Sequence, residues 1–567
     1  MKDQIKKAII DEVFKQYKVT VDPEITRPDE KYGDYTTNIS FSLAGQLHKS
    51  PKEIADSLID GIKYSLNTNI QEIKNVSNFL NIKLSDKALL QDASLALSYQ
   101  PDYYRDQVIV CEYSDPNPFK VLHVGHLYTS IVGNAIANLF EVAQGKVIRA
   151  NFGGDVGRHV AINIWAILQY AGQGNREEAK SAISELEEES LDVKAAWLAS
   201  RYVEGTKAFE SDDPKPKEEI MQLNKEIYKI VEDNEHESSL AKIYWQCREW
   251  SYDYFKQFYD DIEITPFDKY YPESETAPIG VKTVNEHLND GVYEKSDGAI
   301  VFKGEKYGLH TRVFITSQGL PSYEAKDLGL IMTKYRDYTF DKSVIITGNE
   351  ITDYMRVVMK SIEQFNPKLV KASTHLTHGM VKMAGGVKMS SRKGNGLSAI
   401  SVIENTAKIN LENTNKENMD TTLGAIKYAF LKQRLGPDLI YDPVESVSLV
   451  GNSGPYLQYA YARSRSILGK SKNTKTPENY DLDANERTLS RKISEYPDYL
   501  DKSINEIMPH HICTYLYELA QVFNKFYENS RVIDDPREPI RIKLVEQYSQ
   551  ILKKGLSLLS ISAPNQV

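Results

Sequence analysis

One stretch, residues 107–152, limits what this chain can fold into more than any other. QVIVCEYS (residues 107–114) is short, apolar and β-branched, the pattern of a parallel strand buried on both faces. Asp115, Pro116, Asn117 and Pro118 stop it. From Val124, the run VGHLYTSIVGNAIANLFEVA places Leu127, Ile131, Ala135 and Leu139 along one face of a helix. A second strand-like segment, KVIRANF (residues 146–152), follows. Strand, helix and strand in that order make the unit of an α/β fold with a parallel sheet.

The loop between strand and helix is unusual in its chemistry. His123 and His126 flank Val124 and Gly125 at the predicted helix start, three residues apart and so on one face. Unpaired N–H groups and the helix dipole make such a start an anion site. Gly125 has no Cβ and admits a flat ring or a phosphate at short range. Taken alone, two helix-start histidines making ordinary hydrogen bonds fit the pattern equally well.

Composition narrows the class. A chain of 567 residues, 41% hydrophobic, suffices for about three or four domains. Cys111, Cys247 and Cys513 are widely separated, there is no CxxC pair and no signal-peptide pattern, so a reduced, cytoplasmic setting is expected. No apolar run reaches the ~18 residues of a membrane span. The net charge of −10 confines any nucleic-acid contact to local patches. One such patch stands out. Residues 446–477 contain no acidic side chain but hold Arg463, Arg465, Lys470, Lys472 and Lys475, with Tyr456, Tyr459 and Tyr461 among them. Cations interleaved with aromatics suit backbone contact plus base stacking. A solvated helix face over core tyrosines suits the same pattern.

The remaining sequence divides into three parts. Residues 1–100 read as a small α/β module: an amphipathic helix, a Gly-Asp turn leading into a helix, a helix capped by Ser50 before Pro51, and a closing strand FLNIKLS. Residues 101–440 form the nucleotide-type domain, with a charged helical insertion at about 175–261 and a further strand in DKSVIITGNE (residues 341–350). Residues 441–567 are helical throughout. A second motif lies at residues 385–395, GGVKMSSRKGN. Its glycines make a pliant loop, and Lys388, Ser390, Ser391, Arg392 and Lys393 supply cations and hydroxyls suited to a polyphosphate.

Together the two motifs resemble the HIGH and KMSKS signatures of class I aminoacyl-tRNA synthetases, and the surrounding sequence resembles the arginyl-tRNA synthetase family. The segments that carry the likeness are YGDYTTNISFSLAG, DPNPFKVLHVGHLYTSIVGN, ANFGGDVGRHV, SYEAKDLG, GAIKYAFLK, GNSGPYLQYAYARSRSIL and HHICTYLYELAQVFNKFYENSRV, in the family's order along nearly the whole chain. The resemblance implies a Rossmann-like parallel-sheet catalytic domain with helical insertions, an N-terminal α/β module that touches the tRNA elbow, and a C-terminal all-α anticodon-binding bundle. It implies that the arginine carboxylate attacks the α-phosphate of ATP, pyrophosphate leaves, and the aminoacyl group passes from the adenylate to the 2′-hydroxyl of the tRNA's terminal adenosine. It also implies a dependence of adenylate formation on bound tRNA. Such chemistry needs positioning and charge stabilisation rather than an activated nucleophile.

The resemblance assigns roles by position. Lys120, His123, His126, Lys388 and Arg392 would be catalytic; Gly125, the two histidines, Met389, Ser390, Ser391 and Lys393 would hold ATP. Ser391 occupies the place of the second KMSKS lysine, and Lys120, just before the HIGH element, would supply the missing charge. By itself Lys120 is also a plausible solvent-exposed loop lysine. Ser114, Asn117, Glu273, Tyr323 and Asp327 would bind arginine, the carboxylates meeting the planar five-donor guanidinium. Glu273 and Asp327 each fit an ordinary loop or helix-end carboxylate as well. Tyr456, Tyr459, Arg463, Arg465 and Tyr515 would contact tRNA. Magnesium is expected with ATP, no structural metal is expected, and the enzyme is expected to act as a monomer. The chain departs from the family's usual pattern at Ile351, where Gln is common, and at Val156, where Trp is common. Among rival readings, a cysteinyl enzyme would need a Cys–His cluster for a thiol-selecting zinc, which this sequence does not offer, a small nucleotidyltransferase lacks the large helical additions, and a non-catalytic relative would not keep both motifs.

Overall fold

The strand–helix–strand unit around the histidines forms the centre of a five-stranded parallel sheet. The structure, a computed structural model, describes residues 1–386, 397–471 and 481–566. The strands are β1 (Val108–Glu112), β2 (Lys146–Gly153), β3 (Lys269–Pro272), β4 (Lys342–Gly348) and β5 (Ser373–His378). Their order is β5-β4-β1-β2-β3, and every neighbouring pair is parallel. β1 is buried on both sides, as its apolar run dictates. Ile109 and Cys111 pack into one core, with Ile131 and Ala135 of helix α1 (Val124–Val142), while Val110 faces the other with Leu328 and Val358.

From β1 the chain winds outward to β3, then returns to the other side of β1 for β4 and β5. The winding therefore reverses between β1 and β4. In open α/β sheets the crevice at the strands' carboxyl ends beside such a reversal is where ligands bind. Three further helices frame that edge: α2 (Glu273–Glu286), α3 (Tyr323–Tyr338) and α4 (Thr352–Glu363). Helices α2 and α3 approach through two glycines. A Cβ on Gly280 would lie 1.8 Å from the Ala325 carbonyl oxygen, and one on Gly329 would lie 2.1 Å from that of Thr276. This contact brings the first turns of α2 and α3, with their charged residues, together.

The charged stretch between β2 and β3 consists of helices Arg176–Glu185, Leu191–Phe209, Pro214–Glu232 and Ser239–Asp261. The side chains of Asn175, Ser190, Asp213 and Ser238 cap their first turns. Their apolar faces, with Phe119 and Val160, make a separate core. In the N-terminal module, Ser50 and Glu53 form a capping box ahead of Pro51–Leu66, and strand Phe79–Leu84 is the centre of a three-stranded antiparallel sheet.

The C-terminal helices share one core with α1, in which Leu516, Phe523 and Tyr548 are continuous with Ile131 and Val132. Asn134 and Asn138 of α1 donate to Ser560 Oγ at 2.6 and 3.0 Å. The N-terminal module is tied to the same helices. Arg27 stacks on Tyr35 at 3.9 Å and donates to Asp498 at 3.0 Å, and Arg487 donates to Asp34 at 2.6 Å. No helix among the described residues is long and apolar enough to cross a membrane.

Two strands of the central sheet, β3 (KYYP) and β5 (STHLTH), are not evident in the sequence. They lie at the sheet's edges, where burial no longer imposes an unbroken apolar run.

Candidate active site

His123 is the N-cap of α1 and His126 is its third helical residue. The Gly125 N–H donates to His123 Nδ1 at 3.1 Å, and the His123 N–H donates to His126 Nδ1 at 3.2 Å. The two side chains thus form an imidazole version of the reciprocal capping box. Because each Nδ1 accepts from a backbone N–H, each neutral ring carries its proton on Nε2. The rings stack at 3.7 Å between centroids. A Cβ on Gly125 would stand 2.8 Å from His123 Cε1, so the flat ring that this glycine admits is His123's own. Burial holds both imidazoles below their ordinary pKa, His126 well below. Lys120 adds to the shift at both, and His123 adds to it at His126. The turn therefore presents a pair of neutral Nε2–H donors.

Lys120 is directly involved in this electrostatic environment. Its ammonium lies 4.4 Å from the Tyr202 ring, and its charge also lowers the pKa of His159, which burial takes down to about 3. The residues that follow the second motif dock on the same turn. Val124 N–H donates to Leu397 O at 2.8 Å, and Ala399 N–H donates to Leu122 O at 3.0 Å, pairing His123 with Ser398. Residues 387–396 lie outside the described residues, and with them Lys388, Met389, Ser390, Ser391, Arg392 and Lys393.

Beside the histidine turn is a cleft rich in buried carboxylates. Glu112 ends β1 and is ion-paired with Lys334 of α3, both side chains buried. Ser114 and Asp115 then take left-handed backbone angles, φ 74° and 50°, which fold the chain back so that Asp115 Oδ1 accepts the Phe152 N–H at 2.8 Å. Glu273, the first residue of α2, is ion-paired with Lys326 of α3 at 2.7 Å. Asn117 Oδ1 accepts the Gly154 N–H at 3.1 Å. A Cβ on Gly154 would meet both Asn117 Oδ1 at 2.3 Å and Glu273 Oε1 at 3.2 Å, so these two side chains converge across a residue that must be small. Asp327 is 7% exposed and accepts a hydrogen bond from the Tyr354 hydroxyl at 2.7 Å.

The electrostatics of the cleft are unbalanced. Four carboxylates, of Glu112, Asp115, Glu273 and Asp327, face two lysines. Burial pushes Asp327 up to about 7, with Glu112 and Glu273 adding to the rise and Tyr354 and Lys334 opposing it. Burial and then Glu112 push Asp115 well above the carboxylate range. Burial raises Glu273 too, against the pull of Lys326. A buried surplus of carboxyl groups at the carboxyl edge of a parallel sheet, their pKa values raised by burial and by one another, is suited to a cation with several donors, which favours their ionised forms.

Of the expected arginine contacts, the structure brings Asn117, Glu273 and Asp327 to this edge, and Tyr323 stands on α3 one turn before Asp327, 65% exposed at the rim. Ser114 is also present but its hydroxyl is engaged by Ser130 at 2.9 Å and Tyr259 at 2.8 Å inside the protein. That corrects the expectation for Ser114, which braces the end of β1 against α1. Glu112, Asp115, Lys326, Lys334 and Tyr354 escaped the sequence reading. The positions of Glu112 and Asp115 beside the turn were a usable signal, whereas the lysine and tyrosine partners come from distant segments.

The family model described as tRNA synthetases class I (R), catalytic domain, matches residues 86–442. The chain belongs to the class I arginyl-tRNA synthetases. An arginyl tRNA synthetase N-terminal domain model matches residues 1–84, and a DALR anticodon binding domain model matches residues 457–567. The arginine–tRNA ligase of Borreliella afzelii (strain PKo) is 29% identical, with 94% of this chain and 92% of that protein aligned. That of Phocaeicola vulgatus is 25% identical, covering 96% and 95%. The solved structure of the Thermus thermophilus arginyl-tRNA synthetase shares the fold with a TM-score of 0.79 at 22% identity, over 100% of both chains. The Plasmodium falciparum enzyme does so with a TM-score of 0.76 at 21% identity, over 100% and 99%. The reaction of this synthetase is accordingly the ATP-dependent attachment of arginine to tRNA.

On the anticodon-binding domain of the synthetase, the helix Gly454–Lys470 carries four of the five residues expected at tRNA. Tyr459 is 42% exposed, and the Arg463 guanidinium lies 4.9 Å from its ring and 5.3 Å from that of Tyr527, also 42% exposed. Arg465 is exposed, and the Tyr456 hydroxyl accepts from Asn524 at 2.8 Å. Tyr515 is fully buried, its hydroxyl bonded to the Lys492 carbonyl, and it packs against Tyr496 and Tyr499. It is a core residue, and the expectation that it stacks on a base is corrected. Tyr461 is buried as well, and Lys472 and Lys475 lie outside the described residues.

Proposed function

We propose that arginine is activated at the junction between the histidine turn and the carboxylate cleft, and that the surplus of buried carboxylates is the observation that carries this reading. Asp327 and Glu273 receive the guanidinium, whose planar fork suits carboxylates in a fixed geometry. The two Nδ2–H donors of Asn117 have no protein partner among the described residues and serve the amino acid's carboxylate end. That carboxylate attacks the α-phosphorus of ATP; a P–O bond forms, the bond to the bridging oxygen of the β-phosphate breaks, and pyrophosphate leaves. The Nε2–H groups of His123 and His126 donate to phosphate oxygens as charge accumulates. Lys120 supports the same charge. Lys388 and Arg392, with Met389, Ser390, Ser391 and Lys393, belong to the segment whose exit at Leu397 is pinned to the histidine turn, and they close on the leaving pyrophosphate. Magnesium bound to ATP would offset part of the phosphates' charge; among the described residues no cluster of three or more His, Cys, Asp or Glu side chains forms a cage for it.

In the second step the terminal 2′-hydroxyl of the tRNA attacks the adenylate carbonyl and AMP leaves. The exposed Tyr459 and Arg465, with the half-buried Tyr456 and Arg463, face the anticodon end, and the N-terminal module faces the elbow. Lysine lacks the guanidinium fork and leaves the buried acceptors unpaired, so discrimination needs no editing domain. The protein works in the cytoplasm and as a monomer. Aminoacylation of total tRNA with labelled arginine tests the whole reading, and ATP–pyrophosphate exchange with tRNA present tests its first step. If either reaction proceeds equally well with lysine, the reading is wrong.

Two expected results follow from this arrangement. Lys120→Ala lowers the rate of adenylate formation by about tenfold or more, the range for losing one charge-assisted contact. Pyrophosphate exchange at saturating arginine measures it, and an unchanged rate defeats the role given to Lys120. The second result concerns pH. The free enzyme holds Asp327 at a pKa of about 7, so protonation removes the guanidinium's acceptor as pH falls through that value. A ligand that needs the ionised form then binds about tenfold more weakly at pH 6 than at pH 8 and displaces about one proton at the lower pH. Calorimetric titration of arginine without ATP, in buffers of differing ionisation enthalpy, reads both quantities. A dissociation constant that is flat from pH 6 to pH 8 contradicts the prediction.

A further inference from the structure

Tyr354 has no role in the reading above, yet it is the partner of the residue on which that reading most depends. It lies in the first turn of α4, half-buried, three residues after Ile351, the N-cap of that helix. Its hydroxyl donates to Asp327 Oδ2 at 2.7 Å. Charged groups act on Asp327 from the elements around it: Glu112 from β1, Asp115 from the turn after β1, Glu273 from α2 and Lys334 from α3 itself, while Glu324 of α3 acts on Tyr354 and Lys326 is the neighbour of Asp327 in sequence. The two lysines are committed elsewhere, Lys326 to Glu273 and Lys334 to Glu112. Among the described residues, the Tyr354 O–H is the one donor hydrogen-bonded to the Asp327 carboxylate.

A single donor on one carboxylate oxygen has two consequences. It offsets part of the cost of holding the group ionised where carboxylates crowd it. It also fixes the plane of the carboxylate and leaves Oδ1 open. A guanidinium is planar and binds a carboxylate well only when the two planes match, whereas an ammonium is close to a point charge and tolerates any orientation. Holding the plane therefore favours arginine over ammonium-bearing amino acids, beyond what charge alone provides.

We infer that Tyr354 is a specificity-determining positioning residue, whose phenol holds Asp327 in the orientation that distinguishes a guanidinium from an ammonium. The inference rests on Asp327 being the guanidinium acceptor. Tyr354→Phe keeps the ring and removes the donor. With tRNA present, pyrophosphate exchange should show an arginine KM about tenfold higher, a kcat within about twofold of the unsubstituted enzyme, and an inhibition constant for lysine changed by less than about twofold. The acid limb of arginine binding should move to higher pH, because the carboxylate has lost the donor that favoured its ionised form. A purely structural role would move neither the limb nor the ratio of the arginine to the lysine constant. Thermal melting verifies folding, and Tyr354→Met, which also lacks the donor, serves the same titration should the phenylalanine variant not fold. An arginine KM within twofold of the unsubstituted value, with the acid limb in place, overturns the inference if Asp327→Asn raises that KM. If Asp327→Asn leaves the arginine KM unchanged, the guanidinium assignment itself fails and the inference falls with it.

Discussion

Asp327→Ala raises the KM for arginine by about two orders of magnitude and leaves the KM for ATP within about twofold. The size follows from what is left behind. Truncating one partner of a buried, hydrogen-bonded charge pair costs about 2–5 kcal/mol, which is about 30-fold to several thousandfold in affinity. The low end applies here, because Glu273 remains to hold part of the guanidinium and because the crowded cleft is relieved of one carboxylate. The selectivity of the effect follows from position. Asp327 is on α3, at the side of the cleft served by α2 and α4, whereas the ATP contacts proposed above come from the histidine turn at the start of α1. Initial rates of pyrophosphate exchange over a matrix of arginine and ATP concentrations separate the two constants. Equal increases in both would mean that the substitution has disturbed the cleft as a whole, and the assignment of Asp327 to the guanidinium would have to be abandoned.

How much of this site was legible in the sequence depends on how local its causes are. The histidine turn was readable because its structure is set within a few residues: an apolar strand, a Pro-Asn-Pro break, a glycine between two imidazoles and a helical apolar period. Asn117, Glu273 and Asp327 were reached through family likeness, and the structure brings them to one edge. Lys326, Lys334 and Tyr354 were not readable, because their roles arise from pairing across the fold. Lys334 and Glu112 are 222 positions apart, and nothing in the sequence near either announces the other. Reading tyrosines as exposed failed at Tyr515 for a different reason. Ile512, Tyr515, Leu516, Leu519 and Phe523 are spaced as one buried helical stripe. The amphipathic pattern was there to be read, and it outweighs the general suitability of tyrosine for base stacking. At Tyr459 the same test gives the opposite answer, since its neighbours on the buried side are Leu457 and Ala460 and it lies outside their stripe. The sheet's edge strands were lost for want of burial, and the buried strands were found because of it.

His126→Ala lowers the rate of adenylate formation by about 100- to 1000-fold, with little change in the arginine KM. Removing one preorganised donor aimed at developing charge has this magnitude in acyl transfer, and charge accumulation at phosphorus makes the same demand. The structure narrows the role further. Both imidazoles accept backbone N–H bonds at Nδ1, and burial together with Lys120 keeps them neutral, so each acts as a fixed Nε2–H donor and neither is placed to take up a proton. Two consequences distinguish this from general acid–base catalysis. At saturating arginine and ATP, kcat for exchange should show no limb from imidazole titration between pH 6.5 and pH 8, because both imidazoles are held below their ordinary pKa, and the acid limb there should be confined to the arginine constant, where Asp327 places it. The paired substitution His123→Ala, His126→Ala should cost less than the product of the single losses, because each ring is the other's stacking neighbour and the first substitution already disorders the second donor. Rapid-quench measurement of adenylate in the three variants provides the comparison. A kcat limb near pH 6.5 that disappears in His126→Ala would show that the imidazole moves a proton, and the fixed-donor role of this turn would be wrong.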